Sequence, residues 1–302
     1  MGGLGNQLFQ FTAARYIAGE QPILLDYSLS NPRTSNNGTV DIEEFVLSEK
    51  VVFNSSSQKN FVLKKLVGLN VRRSIKLGVH NRFDLIKLIS EIGVSAHFRR
   101  YFHLKIGHGV GFSELNATSR NTILIGYFQS YRFAQAIKNS TFFETLKLKS
   151  PSPTVNYYYR LAQIEKPLVV HFRLGDYKNE PSIGILSPGY YKEALMKLWN
   201  PSNFGKIWAF SDDIEAAKDL YGSAMPNKIR WVPEIEKSAA RTLEVMRLGR
   251  GYIIANSTFS WWSAFLTYTD NAPIISPNPW FKEFIEPAHL IPPNWTRLNG
   301  WQ

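Results

Sequence analysis

The feature that most constrains this chain is the alternation of short apolar runs with amphipathic stretches through its second half. The runs "PLVVHF" (167–172), "KIWAFS" (206–211), "KIRWVP" (228–233), "YIIAN" (252–256) and "APIISP" (272–277) have strand length and few charges. Between them lie helical patterns: "YYKEALMKLW" (190–199), "DIEAAKDLY" (213–221), a stretch over roughly 238–248, and a further one after 256. A buried strand followed each time by a helix cannot form hairpins. It predicts a parallel sheet covered on both faces, and such sheets bind ligands beyond the carboxyl ends of their strands.

Three of these runs end in polar residues at that edge. The first continues as "HFRLGDY" and presents His171, Arg173 and Asp176. The run 206–211 leads into Ser211, Asp212 and Asp213, and the run 252–256 into Asn256, Ser257, Thr258 and Ser260. Serine and aspartate at such places commonly cap helices, which accounts for Asp212 or Ser257 taken singly. It does not account for His171 and Arg173. A helix N-terminus offers free N–H groups to a phosphate, and an arginine on the adjacent strand end offers a fork matched to two phosphate oxygens. An aspartate at a third strand end can accept hydrogen bonds from a guanine edge. The combination predicts a site for a nucleoside diphosphate.

The first half is harder to read. It opens with "GGLGNQ" (2–7), a glycine-rich loop before an amphipathic stretch containing Leu8, Phe11, Tyr16 and Ile17. Alone, the loop is a weak phosphate signal, because it has neither the P-loop lysine nor the dinucleotide-binding spacing. "PILLDY" (22–27) and "TILIGYF" (122–128) read as strands, 31–40 as a polar loop and 58–100 as mainly helical. "SPSPT" (150–154) is the best linker candidate, which divides the chain into domains over 1–150 and 151–302. The formal charge is +11, and residues 50–105 carry seven lysines and five arginines against Asp84 and Glu91. That surplus suits either a solvated face or peripheral contact with an anionic membrane. No nucleic-acid-binding motif accompanies it, so no nucleic-acid partner is expected. Without cysteine, thiolate metal sites and thiol nucleophiles are excluded. No Asp-x-Asp motif and no histidine pair at i, i+4 is present, so no metal is expected. No apolar run reaches membrane-spanning length and no signal peptide opens the chain.

The segments "GGLGNQLFQ", "GYFQS", "HFRLGDY", "FSDD" and "NSTFSWW" occur in the order found in the α-1,2-fucosyltransferases of glycosyltransferase family 11, and the chain resembles that family from residue 2 to about 266. "HFRLGDY" also resembles the His-x-Arg-x-Gly-Asp element of the wider fucosyltransferase superfamily. The resemblance implies a GT-B-like α/β fold, two Rossmann-like halves with parallel sheets facing a cleft, with the C-terminal half binding the donor. It implies an inverting, metal-independent transfer of L-fucose from GDP-β-L-fucose to the 2-hydroxyl of a terminal β-galactoside, with no cofactor. By position, Arg173 is expected on the donor β-phosphate and His171 beside the sugar–pyrophosphate link. Asp212 or Asp213 is expected on guanine, and Ser257, Thr258, Phe259 and Ser260 around the phosphates. Gly5 and Asn6 are expected to approach the fucose and diphosphate from the other half. Asp176 is the nearest carboxylate to serve as base, although an aspartate placed there serves equally to orient Arg173 or His171.

Several positions depart from the family's pattern. Leu174 stands where many relatives have a second arginine, Gly249-Arg250-Gly251 replaces a usual Cys-Lys-His, and Arg241-Thr242 stands where an acid is usual. The chain also starts at its Gly-rich loop, without the strand that precedes it in relatives. Two rival readings stay open: a non-catalytic nucleotide-sugar- or glycan-binding protein, and a transferase using another nucleotide sugar. The expected partners are GDP-fucose and a β-galactoside glycan, one form of which is lipid-linked. The expected location is cytoplasmic or peripheral on the inner face of the membrane.

Overall fold

The computed structural model describes residues 2–26, 40–47, 50–54, 103–106, 122–125, 127–138, 146–287 and 289–301. The 58–100 helices, the 31–40 loop up to residue 39 and most of the basic 50–105 region lie outside the described residues. The chain divides into two compact units. One comprises Met1–Arg33, Leu47–Leu146 and Pro287–Leu290, the other Thr34–Val46, Lys147–Glu286 and Ile291–Gln302.

In the first unit, helix α1 (Leu4–Ala18) leads into strand β1 (Ile23–Asp26), which pairs in parallel with β2 (Val51–Asn54). A second parallel pair joins β3 (His103–Ile106) to β4 (Thr122–Ile125). Helix α2 (Tyr131–Ile137) follows, capped by the Ser130 side chain. Ala13 and Ile17 of α1 meet Phe128 and Phe133 in a small apolar cluster.

The second unit is built on one sheet. Helix α3 (Pro153–Glu165) precedes β5 (Leu168–Phe172), and the succession continues with α4 (Pro188–Leu198), β6 (Ile207–Ser211) and α5 (Ile214–Tyr221). It runs on through β7 (Ile229–Val232), α6 (Ala239–Met246), β8 (Gly251–Ile253), α7 (Thr258–Phe265), β9 (Ile274–Asn278) and β10 (Thr296–Asn299). The strand order is β10-β9-β8-β5-β6-β7, every pair parallel. Counted from β5 as the first strand, this is the doubly wound order 3-2-1-4-5-6, in which the chain reverses direction between the first strand and the fourth. The reversal lies between β5 and β8.

Both faces of β5 are buried, which is why its sequence is apolar without alternation. Leu168, Val170 and Phe172 join Tyr190, Tyr191 and Ala194 of α4 and Ala217 and Tyr221 of α5 in one cluster. On the other side Trp208, in register with Val169, meets Tyr158 of α3 edge to face at 5.4 Å between centroids. Ser152, Ser187, Asp213, Ser238 and Ser257 each cap the helix that follows, through a side-chain oxygen accepting a backbone N–H. The stretch read as a linker is therefore the start of α3: Ser152 is its cap and Pro153 its first residue, where a missing N–H is harmless. Strand β10 and helix α3 were not anticipated. "TRLN" is too short and polar to stand out as a strand, and α3 carries three successive tyrosines that do not mark a helix by themselves.

Parallel pairing in both units and alternating strands and helices are the α/β features that the GT-B-like expectation requires. The segment 40–46 departs from a simple division near 150. Phe45 bridges to Leu148, Val46 N donates to Lys147 O at 2.7 Å, and the Ser238 hydroxyl donates to Glu44 at 2.8 Å. This early segment is thus built into the second unit.

Candidate functional site

The reversal lies between β5 and β8, the place where doubly wound sheets bind ligands beyond their strands' carboxyl ends, and the sequence-predicted residues of the second unit collect there. His171, next to last in β5, is 4% exposed, and its carbonyl accepts from Tyr191 Oη at 3.0 Å. Its ring lies 6.2 Å from that of Phe259, in the first turn of α7. Burial pushes its pKa down to about 4, with Asp212 acting to raise it and Arg173 to lower it. The imidazole is therefore neutral at ordinary pH, and its Nδ1 makes no hydrogen bond within the protein.

Arg173, one residue past β5, is held by two carboxylates. Its Nη2 lies 2.6 Å from Asp176 Oδ1 and its Nη1 lies 3.0 Å from Asp212 Oδ2. The guanidinium sits over the ring of Tyr177, 5.2 Å from its centroid, and Nε is buried without a partner. Asp212 also accepts from the Leu174 backbone N–H at 2.9 Å. A Cβ on Gly175 would come within 2.3 Å of Asp212 Oδ2. That carboxylate is fixed by two other bonds, so glycine is what lets the loop after β5 approach the end of β6. Asp213 is differently occupied: it caps α5 through Ala216 N at 3.1 Å and pairs with Lys178 Nζ at 2.8 Å. Adjacent in sequence, the two aspartates hold different cations, and among the described residues no cluster of three or more His, Cys, Asp or Glu could hold a metal ion.

At the end of β8, Asn256 is 1% exposed and its Nδ2 donates to the carbonyls of Ile183 and Gly184, each at 3.1 Å. Its Oδ1 has no partner. Ser257 Oγ accepts from Phe259 N at 3.3 Å, and the buried Ser260 donates to Ala255 O at 3.3 Å and Ser257 O at 3.1 Å. These hydroxyls shape the start of α7. Thr258 and Phe259 are the partly exposed residues there, where the first helical N–H groups carry the positive end of the helix dipole.

Tyr177 was overlooked as a site residue, although it closes the motif "HFRLGDY". Its hydroxyl donates to Asn256 O at 3.1 Å, so it joins the loop after β5 to the end of β8. Burial pushes its pKa up to about 12, which keeps the phenol a donor.

In the first unit, Gly5 is buried in the opening turn of α1 and Asn6 is half-buried beside it. The cap position of α1 is Gly3, with no side chain bonded to the helix end. Gln129, of the segment "GYFQS", donates from Nε2 to Asn6 Oδ1 at 2.8 Å. Two segments more than 120 residues apart in sequence thus meet, and Gln129, also overlooked, fixes which way the Asn6 amide points. Gly2 adopts φ +81°, and a Cβ there would come within 2.5 Å of Asn6 Nδ2.

The profile of the family described as Glycosyl transferase family 11 matches residues 2–299. An Escherichia coli protein named alpha-1,2-colitosyltransferase is 25% identical over 317 aligned positions, covering 99% of this chain and 97% of that one. The O-antigen biosynthesis glycosyltransferase WbnK, also from Escherichia coli, is 24% identical and covers 93% of each chain. A crystal structure of NodZ alpha-1,6-fucosyltransferase soaked with GDP-fucose is similar with a TM-score of 0.46 and 14% identity, covering 92% of each chain.

Proposed function

The chain belongs to glycosyl transferase family 11 and is a glycosyltransferase, and from that premise we propose that it transfers L-fucose from GDP-β-L-fucose, with inversion, to the 2-hydroxyl of a terminal β-galactoside. The observation that carries this reading is the position of Arg173. It stands at the strand reversal, one residue beyond β5, and the helix start of α7 stands at the end of β8, the strand paired with β5.

In the transfer, the bond from sugar C1 to the β-phosphate oxygen breaks and a bond from C1 to the acceptor oxygen forms on the opposite face. Negative charge gathers on the departing diphosphate. Arg173 and the first N–H groups of α7 are set to receive it, and they require little rearrangement because two carboxylates and a serine cap already hold them. His171 is neutral, so it can bond the donor near its sugar end without adding a second positive charge. Asp176 bonds Arg173 while its side chain remains 52% exposed. Its first role is to orient the guanidinium, and it is also the carboxylate placed to take the acceptor's proton. Asp212 supports Arg173 and the loop, and the more exposed Asp213 is the better placed of the two to meet guanine. No divalent metal takes part.

A second donor is favoured by one observation, the name of the colitosyltransferase relative. Colitose is fucose without its 3-hydroxyl, and a grip on GDP and phosphate serves both sugars equally. Incubation with GDP-fucose, GDP-colitose and UDP-sugars, each with a panel of β-galactosides, tests the proposal. A fucosylated product with an α-1,2 linkage supports it, and product from GDP-colitose alone supports the second donor instead. Transfer from a UDP-sugar alone, or to another hydroxyl, overturns it.

A further inference from the structure

Among the residues at the reversal, Tyr177 makes two contacts that no donor-binding role requires. Its ring lies beneath the Arg173 guanidinium, at 5.2 Å from Cζ to centroid. Its hydroxyl donates to the Asn256 carbonyl at 3.1 Å. Asn256 is the residue before Ser257, the cap of α7. One side chain therefore touches the cationic group on the β5 side and the backbone next to the helix start on the β8 side. Asn256 returns the connection through its two bonds to Ile183 and Gly184, farther along the loop that carries Tyr177. The carboxylates hold Arg173 by its terminal nitrogens, at its edge, and leave its face for the ring.

We propose that Tyr177 is a positioning residue that sets the separation between Arg173 and the N-terminus of α7, so that both meet one diphosphate; this rests on the donor-binding reading of Arg173 given above. A cation over an aromatic face is attracted to it, so the ring supports the guanidinium from that side. The guanidinium is then held at its terminal nitrogens by Asp176 and Asp212 and supported by the ring of Tyr177. The hydroxyl bond fixes the height of that support relative to α7. Phenylalanine retains the ring and loses the tie, and leucine loses both.

The test is GDP affinity by calorimetry, with thermal melting as a check on folding, for Tyr177→Phe and Tyr177→Leu in the wild-type and the Arg173→Lys backgrounds. In the wild-type background, Tyr177→Phe should weaken GDP binding about threefold and Tyr177→Leu about tenfold, in the range of a lost hydrogen bond and a lost cation–aromatic contact. In the Arg173→Lys background, Tyr177→Leu should change affinity less than about twofold, because a residue acting through another has little left to position. Equal loss in both backgrounds, or unchanged affinity for both variants, overturns the inference. Should Tyr177→Leu fail to fold, Tyr177→Phe decides: weakened binding at an unchanged melting temperature supports the role, and wild-type affinity overturns it. Failure of the wild-type protein to bind GDP overturns the donor assignment and the inference with it, whereas normal wild-type binding with unaffected variants overturns the inference alone.

Discussion

The two edges of the six-stranded sheet are both rich in charge, and they treat it oppositely. At the edge where the strands begin, Glu165 accepts from Arg230 at 2.6 and 3.0 Å, from Trp208 at 2.6 Å, and pairs with Lys206 at 3.2 Å. Burial opposes its charge, but the bonds from Arg230, Trp208 and Lys206 outweigh it and hold the carboxyl at about 2. Nearby, the buried Glu244 accepts from Tyr159, from Tyr268 at 2.5 Å and from Arg247 at 2.7 Å, while Arg247 also donates to Leu266 O at 2.9 Å. Both oxygens of each glutamate are occupied. At the edge where the strands end, His171 Nδ1, Arg173 Nε and Asn256 Oδ1 are buried and unmet. Buried polar groups are ordinarily bonded, so unmet ones gathered at one edge call for an explanation. Satisfied charge pins strand beginnings to helices, and unsatisfied polarity gathers at the edge where the proposed donor would bind.

The largest effect that separates the edges is on turnover. Arg173→Lys keeps the charge and loses the fork, so the transfer rate should fall roughly 100- to 1000-fold while the melting temperature stays within about 2 °C. Near-normal steady-state rates would break the comparison. The opposite edge should respond in the reverse sense. Glu165→Ala strands Arg230, Lys206 and the Trp208 N–H, and should cost about 2 kcal/mol in denaturant unfolding with the turnover of folded protein unchanged. A variant of normal stability would show that the cluster does not pin the strands.

Acid should resolve the edges into two windows. His171 binds a proton at about 6.5 when unfolded and at about 4 when folded. The unfolded chain therefore takes up the extra proton, and stability falls as pH drops from about 6.5 to about 4. Glu165 is depressed to about 2, so its contribution is complete above about 4.5 and disappears as pH falls toward 2. Unfolding titrations of His171→Asn and Glu165→Gln should each remove one window and leave the other, and loss of both windows in a single variant would contradict the assignment. The smallest effect expected is none: on the proposed reading Arg173 and the α7 N-terminus take the part a metal would, so activity should persist in excess EDTA. Activity lost to EDTA and restored by magnesium or manganese would overturn that expectation.

The strand-ending edge was readable because its chemistry is written in short segments. "HFRLGDY", "FSDD" and "NSTFSWW" each place polar residues immediately after an apolar run, and the period of the runs gave every strand from β5 to β9. The strand-beginning edge was not readable. Glu165 reaches Arg230 across 65 residues and Glu244 meets Tyr159 across 85, and neither sits in a motif. Tyr177 and Gln129 fall between these cases. Both stand inside quoted segments, but a tyrosine or glutamine has no chemistry that singles it out until its partner is seen. Asp212 shows the converse limit. Its position was evident, but its bonds to Arg173 and the Leu174 N–H depend on a glycine in another loop.

The segment 40–46 has a practical consequence for anyone exchanging parts between relatives. A chimera joined at residue 150 would keep the sheet of one parent and receive Val40, Ile42, Glu44 and Phe45 from the other. Phe45 is fully buried, and Glu44 receives the Ser238 hydroxyl and lies beside Arg241. The halves are therefore not interchangeable cassettes. A graft should carry 40–46 along with 147–302, and a library of crossovers should show survivors clustered where those two stretches descend from the same parent.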